Sequence, residues 1–329
     1  MIWIKFVLSA AAIVLTATQL AKYGDVIAIR TRLGGMFIGV LLMAGATSLP
    51  ELLTSFNAIR LNTPNLAAGD LLGSNNMNMV LLAIIDMVTL NQRILRKAAL
   101  KHALSGSLAV FMIGLVLFFM LADIDIKIGW VGVDGLVIIA FYVISVWLIQ
   151  SNAEHGGHSD QIEEIEGDIP SLKTGILGFF IAAGALVAIT PIMVQSANEI
   201  AVLTGLGTSF IGTTLVALTT SLPEAVTTLA AIKIGANDMA IGNLFGSNMF
   251  NMLVIGLNDA FFTQGRFIAA IDPSLMLVAA IGLLMTGMGL IGNLAKLERR
   301  IWFIEIDALA LLLLFFGSLW LLYTRGVAH

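Results

Sequence analysis

Two stretches of this chain are copies of one another. Thr-Ser-Leu-Pro-Glu fills 47–51 and again 220–224, and Gly-Ser-Asn followed by Asn-Met fills 73–79 and again 246–252. From Thr47 to Met79, 16 of 33 positions are identical to those 173 residues later, with no gap. Chance does not keep a charged residue and a proline in register inside two apolar segments. A repeat of this length constrains architecture before any local propensity does. The correspondence continues outside the cassettes at the same spacing. Phe37-Ile38-Gly39 matches Phe210-Ile211-Gly212, Asp86 matches Asp259 and Asp134 matches Asp307. The chain reads as two homologous halves.

The solvent of those halves follows from composition. Of 329 residues 58% are hydrophobic and 12% charged, the latter about half the usual share for a soluble domain. The mean hydropathy is +0.97. This is an all-α polytopic membrane protein, since no alternating strands are visible that a β-barrel would need. A net charge of −4 points to no nucleic acid, and the lack of cysteine excludes disulfides and thiolate sites. The N-terminal apolar run is read as a retained span, because its helix has a counterpart in the second half. Counting stretches of about 20 apolar residues gives ten spans: 4–22, 36–59, 66–90, 103–122, 128–150, 175–197, 208–232, 237–262, 272–294 and 301–324. Residues 1–150 form the first five-helix repeat, 151–173 an acidic linker, and 174–329 the second repeat.

Five is odd, so the second repeat enters the membrane from the opposite side. Lys and Arg set the orientation. With the N-terminus outside, the inner loops hold Lys22, Arg30, Arg32, Arg93, Arg96, Lys97, Lys101, Lys173, Lys233, Lys296, Arg299 and Arg300. The outer side holds only Lys5, Arg60, Lys127, Arg266 and Arg325. Both termini are expected outside and the linker in the cytoplasm. Inverted repeats of this kind build secondary transporters, with the site at the midplane between the halves.

Glu51 and Glu224 lie deep inside apolar segments. An ionised carboxylate there costs at least ~2.5–3.5 kcal/mol, so each should face the protein interior and a partner. Thr47 and Ser48 precede Glu51 by four and three residues, on one helix face; Thr220 and Ser221 do the same for Glu224. Pro50 and Pro223 donate no N–H and should break their helices, freeing carbonyls around 44–47 and 217–220. Such backbone is tolerated at membrane depth only where it is buried or lines a cavity. A plain kink and a hydrogen-bonded structural Glu are the blander readings. The same polar cassette occurring twice favours ligand presentation.

The next helix in each half adds Ser74 with Asn78, and Ser247 with Asn251. Gly69, Gly73, Gly242 and Gly246 leave room for close helix approach. The pooled donors are all hard oxygens, which selects Ca²⁺, Na⁺ or Mg²⁺ over zinc or copper. An adaptable oxygen cage suits Ca²⁺ better than the small octahedron of Mg²⁺. Two carboxylates balance one Ca²⁺ or two Na⁺, so competition for the same charge is a basis for exchange. Protonation of either Glu competes too, and acid is expected to inhibit.

Both cassettes resemble the α-repeats of the sodium/calcium exchangers, within the cation/calcium exchanger superfamily, and the resemblance covers essentially the whole chain. It is similar to the compact prokaryotic members, which implies a plasma (inner) membrane location. The resemblance implies ion ligands at Thr47, Ser48, Glu51, Ser74 and Asn78, then Thr220, Ser221, Glu224, Ser247 and Asn251, with the carbonyls of Ala44 and Ala217. It further implies Na⁺ moving inward and Ca²⁺ outward by alternating access, as spans 1 and 6 slide against the rest. No cofactor, no enzymatic activity and no obligatory protein partner are expected; membrane lipid is the surroundings.

Two departures stand out. Some relatives, including potassium-dependent exchangers, carry Asp where this chain has Asn251, which argues against K⁺ cotransport. Asp70 stands where the second half has Asn243. It is expected either to gather cations at the outer mouth or to cap the start of its helix. The remaining ionisable groups are read as structural. Asp86, Asp134, Asp259 and Asp307 sit near helix ends, where water or a helix dipole satisfies them. His155 and His158 lie in a solvated linker. A proton-coupled cation exchanger on the same fold is the alternative. A passive channel fits less well, because pores use rings of ligands. An intramembrane hydrolase lacks a catalytic pair.

Overall fold

The structure, a computed structural model, describes residues 1–31, 44–88, 94–155, 170–233, 237–295, 300–301 and 304–326. Phe37-Ile38-Gly39, the start of the second expected span, Arg93, and the linker positions His158, Asp160, Glu163 and Glu164 lie outside the described residues.

Helices dominate because a backbone in hydrocarbon has only itself to bond with. The first half runs α1 (Ile2–Thr31), α2 (Ala44–Thr47), α3 (Leu49–Arg60), α4 (Pro64–Val88), α5 (Ile94–Ala122), a small hairpin of β1 (Lys127–Ile128) and β2 (Val131–Gly132), and α6 (Val133–His155). The second runs α7 (Leu172–Thr204), α8 (Gly207–Ile211), a π-helical turn (Gly212–Val216), α9 (Ala217–Thr220), α10 (Leu222–Lys233), α11 (Asn237–Phe261), α12 (Ser274–Ala295), the hairpin of β3 (Arg300–Ile301) and β4 (Ile304–Glu305), and α13 (Ile306–Gly326). Both hairpins pair antiparallel in the same register. The element bounds obey the sequence spacing: α2, α3 and α4 each begin and end 173 residues before α9, α10 and α11.

The expected ten spans are reproduced only in part. Eight helical stretches among the described residues are long and apolar enough to cross a membrane. The second and third expected spans are the two missing. One begins outside the described residues. The other is α4, which is 25 residues long and carries Asp70, Ser74, Asn75, Asn76 and Asn78, all buried. Polar side chains facing protein lower its hydropathy without exposing it to lipid. Its sequence mate α11 passes narrowly at a mean hydropathy of 1.3, yet 83% of it is buried, against 22% for the α7 span. The polar helices are therefore inside. The lipid-like surface belongs to the periphery, where Leu177, Phe180 and Ile181 of α7, Trp147 of α6 and Trp320 of α13 are exposed.

Contacts between the halves are reciprocal. α4 packs on α11, α12 and α13, while α11 packs on α4, α5 and α6; α3 leans on α7 and α10 on α1. The most extensive pairing is α1 with α7. It runs antiparallel: Gly178 near the start of α7 sits over the ring of Tyr23, and Gly175 over Val26, near the end of α1. α4 and α11 also cross antiparallel, with Asn78 bonded to Asn248 and Asn251 to Asn75.

Candidate cation site

The site forms where the broken helices α2–α3 and α9–α10 meet α4 and α11. Each break is a one-residue interruption. α2 ends at Thr47, Ser48 is the pivot, and α3 restarts with Pro50 in its first turn, where a missing N–H does no harm. α9, Ser221 and Pro223 repeat this. The freed carbonyls fall within the expected stretches, though not at Ala44 and Ala217. The carbonyls of Ala44 and Ala217 still accept backbone N–H groups, from Ser48 at 2.9 Å and Ser221 at 3.0 Å. Pro50 and Pro223 instead withhold a donor from Ala46 and Thr219, four residues before each. Ala44 and Ala217 each also accept a threonine hydroxyl, Ala44 from Thr47 at 3.2 Å and Ala217 from Thr220 at 3.4 Å. The π-helical turn directly before Ala217 is the kind of irregularity often found at functional sites.

All twelve positions singled out in the sequence are buried: Ala44, Thr47, Ser48, Glu51, Ser74 and Asn78 from the first half, and Ala217, Thr220, Ser221, Glu224, Ser247 and Asn251 from the second. Hydrogen bonds join them across the halves. Ser48 Oγ donates to Glu224 Oε1 at 3.0 Å, and Ser247 Oγ reaches the same oxygen at 3.5 Å. The hydroxyls of Ser74 and Thr220 lie 3.3 Å apart. Thr47 Oγ1 lies 3.4 Å from Asn243 Oδ1, and Thr220 Oγ1 donates to Asp70 Oδ1 at 2.8 Å. Glu51 is within electrostatic reach of Glu224 and Asp70.

What stays unpartnered decides the chemistry. Glu51 Oε2, Glu224 Oε2, Asp70 Oδ2, Asn78 Oδ1 and Asn251 Oδ1 are buried with no hydrogen-bond partner among the described residues. All five are acceptors; the Asn75 amide nitrogen and the Ser221 hydroxyl are also buried with no such partner. A buried unmatched acceptor costs about 1–3 kcal/mol, more when charged. The five, contributed by both halves, are oxygens that no donor among the described residues uses. The two amides are held through their nitrogens. Asn78 Nδ2 donates to Asn248 Oδ1 at 2.9 Å, and Asn251 Nδ2 to Asn75 Oδ1 at 3.0 Å, so each points its oxygen elsewhere. The sequence reading leaves Asn75 and Asn248 out of the site. The signal was present, since both belong to the identical Gly-Ser-Asn of the two cassettes. Among the described residues no group of three His, Cys, Asp or Glu forms a compact metal cluster. The donor set mixes carboxylates with hydroxyls and amides, as hard alkali and alkaline-earth cations accept.

Both expectations for Asp70 are corrected. It lies in the second turn of α4, not at its cap, and it is fully buried rather than at a mouth. The acidic helix ends are also not simply hydrated. Asp134 pairs with Arg266 at 3.2 Å, both buried, and Arg266 also reaches Asp123 at 3.2 Å. Burial by itself lowers the Arg266 guanidinium pKa, but the charges of Asp134 and Asp123 outweigh it and leave it above its ordinary value. Asp259 accepts the backbone N–H of Phe267 at 2.6 Å and that of Gly132.

A family model described as sodium/calcium exchanger protein matches residues 1–150 and 174–324. The chain belongs to the sodium/calcium exchanger family. Members of this family are exchangers rather than catalysts. Among curated relatives, the putative antiporter CaxA of Alkalimonas amylolytica is 27% identical over 327 residues, covering 97% of this chain and 98% of that protein. Among solved structures, the sodium-calcium exchanger NCX_Mj superposes with a TM-score of 0.59 at 23% identity, covering 97% of this chain and 98% of that one. The H⁺/Ca²⁺ exchanger CAX superposes with a TM-score of 0.72 at 14% identity, covering 99% and 86%. The exchanger fold is thus shared with proteins of two different couplings.

Proposed function

We propose that this membrane protein is a secondary antiporter exchanging Na⁺ for Ca²⁺ by alternating access, with Na⁺ entry driving Ca²⁺ extrusion. The observation that carries this reading is the set of buried, unpartnered oxygens contributed by both halves. Glu51 and Glu224 supply the charge; Thr47, Ser48, Ser74, Asn78, Thr220, Ser221, Ser247 and Asn251 supply neutral oxygens, with the carbonyls of Ala44 and Ala217. A Ca²⁺ ion takes 6–8 oxygens in adaptable geometry, and Na⁺ competes for the same ones.

Ten spans arranged as two inverted repeats remain the architecture we infer, with the boundaries 1–150, 151–173 and 174–329. Support comes from the antiparallel contacts of α1 with α7 and α4 with α11, and from element bounds that recur 173 residues apart. Both termini outside follow from the distribution of Lys and Arg, and a plasma-membrane location from the resemblance to the compact prokaryotic exchangers. One chain holds both halves of the site, so no protein partner is invoked.

A proton-coupled exchanger is the second reading, favoured by the superposition on a H⁺/Ca²⁺ exchanger. One experiment separates them: ⁴⁵Ca²⁺ uptake into proteoliposomes loaded with Na⁺, with K⁺, or with a pH gradient alone. Uptake that requires internal Na⁺ is expected. Uptake that follows the pH gradient and ignores Na⁺ selects the second reading. Glu51→Gln and Glu224→Gln should each abolish flux, and persistence of flux in either would remove that residue from the site.

A further inference from the structure

Pseudo-symmetry gives the site two corresponding corners, and they are not alike. In one, Thr47 faces Asn243 Oδ1 at 3.4 Å. In the other, Thr220 donates to Asp70 Oδ1 at 2.8 Å and lies 3.3 Å from Ser74 Oγ. Asn243 spends its amide nitrogen on Thr227 and Thr228, at 3.3 and 3.2 Å. It is a neutral, satisfied positioning group. Asp70 is fully buried, and its second oxygen, Oδ2, has no partner among the described residues.

The comparison within one molecule separates two jobs. Orienting a threonine hydroxyl needs only an acceptor, and the Asn243 corner does it with an amide. A carboxylate in the same place adds a charge that is expensive to bury and does nothing further for the threonine. Asp70 lies one turn before Ser74 on α4, and its charge acts on Glu51. We propose that Asp70 is a third anionic ligand of the transported cations, forming with Thr220 and Ser74 a charged subsite whose symmetry mate at Asn243 is neutral.

This rests on the reading of the central oxygens as the cation site. Glu51, Glu224 and Asp70 give the region three carboxylates, spread along it rather than gathered into one compact cluster. Fully ionised, they match one divalent ion plus one monovalent ion, or three monovalent ions. A loss of Asp70 therefore removes one monovalent position, not merely some affinity.

The test is Na⁺-driven ⁴⁵Ca²⁺ flux, with Ca²⁺ and Na⁺ titrations, in proteoliposomes of the full chain. Asp70→Asn keeps the acceptor for Thr220 and removes only the charge. A direct ligand should cost no less than the ~10–100-fold in affinity typical of an outer-shell partner. The expected result is apparent Ca²⁺ affinity at least about tenfold weaker, with a lower Hill coefficient for Na⁺. Asp70→Ser, which leaves a hydroxyl beside Thr220, should behave the same way and serves if Asp70→Asn is not recovered folded. Wild-type affinities and Hill coefficient in either folded variant would overturn the proposal. Glu51→Gln is run alongside. If it abolishes flux while the Asp70 variants transport normally, only the third ligand is lost. If Glu51→Gln also transports normally, the whole site reading is at fault.

Discussion

Ser48 shows how a residue without charge can matter at this depth. Its hydroxyl donates to Glu224 across the boundary between the halves at 3.0 Å, and its lone pairs remain available to a cation. Ser48→Ala is expected to weaken apparent Ca²⁺ affinity by about tenfold in flux titrations. Ser145→Ala, which removes a buried hydroxyl on α6, should leave it unchanged. Asn248 works at one remove. It holds the amide nitrogen of Asn78 at 2.9 Å and so fixes which way the Asn78 oxygen points. Asn248→Ala should lower Ca²⁺ affinity in calorimetry by about 10–100-fold, as loss of an orienting partner does. These cross-half bonds were not legible in the sequence. Spacing places Asn75 and Asn78 on α4 and their copies on α11, but only the antiparallel crossing pairs 75 with 251 and 78 with 248.

At the scale of elements, the approach of α4 to the π-helical turn positions Ala217 and Thr220. Glycine makes that approach possible. A Cβ on Gly73 would stand 2.6 Å from the Thr213 carbonyl oxygen and 2.8 Å from Ala217 Cβ. Both neighbours are held by helix backbone and cannot swing aside. Gly73→Ala is expected to destabilise by about 1–3 kcal/mol, read as a lower unfolding temperature in detergent, together with slower transport as α9 is pushed from the site. Gly184→Ala on α7, where a Cβ meets nothing within 4 Å, should change neither. The glycines were recognisable in advance as packing residues. Their partner was not, because the Gly73 contact is to a segment 140 residues away. Helix breaks at Pro50 and Pro223 were legible, since proline's missing N–H acts locally. That Ala44 and Ala217 keep their backbone partners, Ser48 and Ser221, was seen only in the fold.

For the molecule as a whole, the two halves are tied together away from the site by a buried ion pair. Arg266, between α11 and α12, reaches across to Asp134 at the start of α6 at 3.2 Å, with side chains 3% and 1% exposed. Arg266→Ala leaves a buried carboxylate without its cation, a change that costs about 3–5 kcal/mol. A marked fall in unfolding temperature is expected, with Ca²⁺ affinity of the remaining folded protein preserved. Replacing both partners, Arg266→Met with Asp134→Leu, should recover most of the loss, because no isolated charge remains. Each partner looked unremarkable in the sequence, where Asp134 reads as an acidic residue in a first helical turn and Arg266 as one of few outer cations.

The sequence by itself determined the repeat, the membrane solvent and the donor inventory. Each follows from local rules: identity at a fixed spacing, apolar length against bilayer thickness, and the chemistry of side-chain oxygens. It also placed the cassette ligands, though not Asp70, on helix faces turned toward protein. The tertiary structure decided which donors meet, which oxygens remain free, and where Asp70 lies. Those are properties of contacts between segments far apart in the chain. The reason is physical. A helix face is set by 3.6 residues per turn, whereas the partner of that face is set by how two copies of one fold pack against each other.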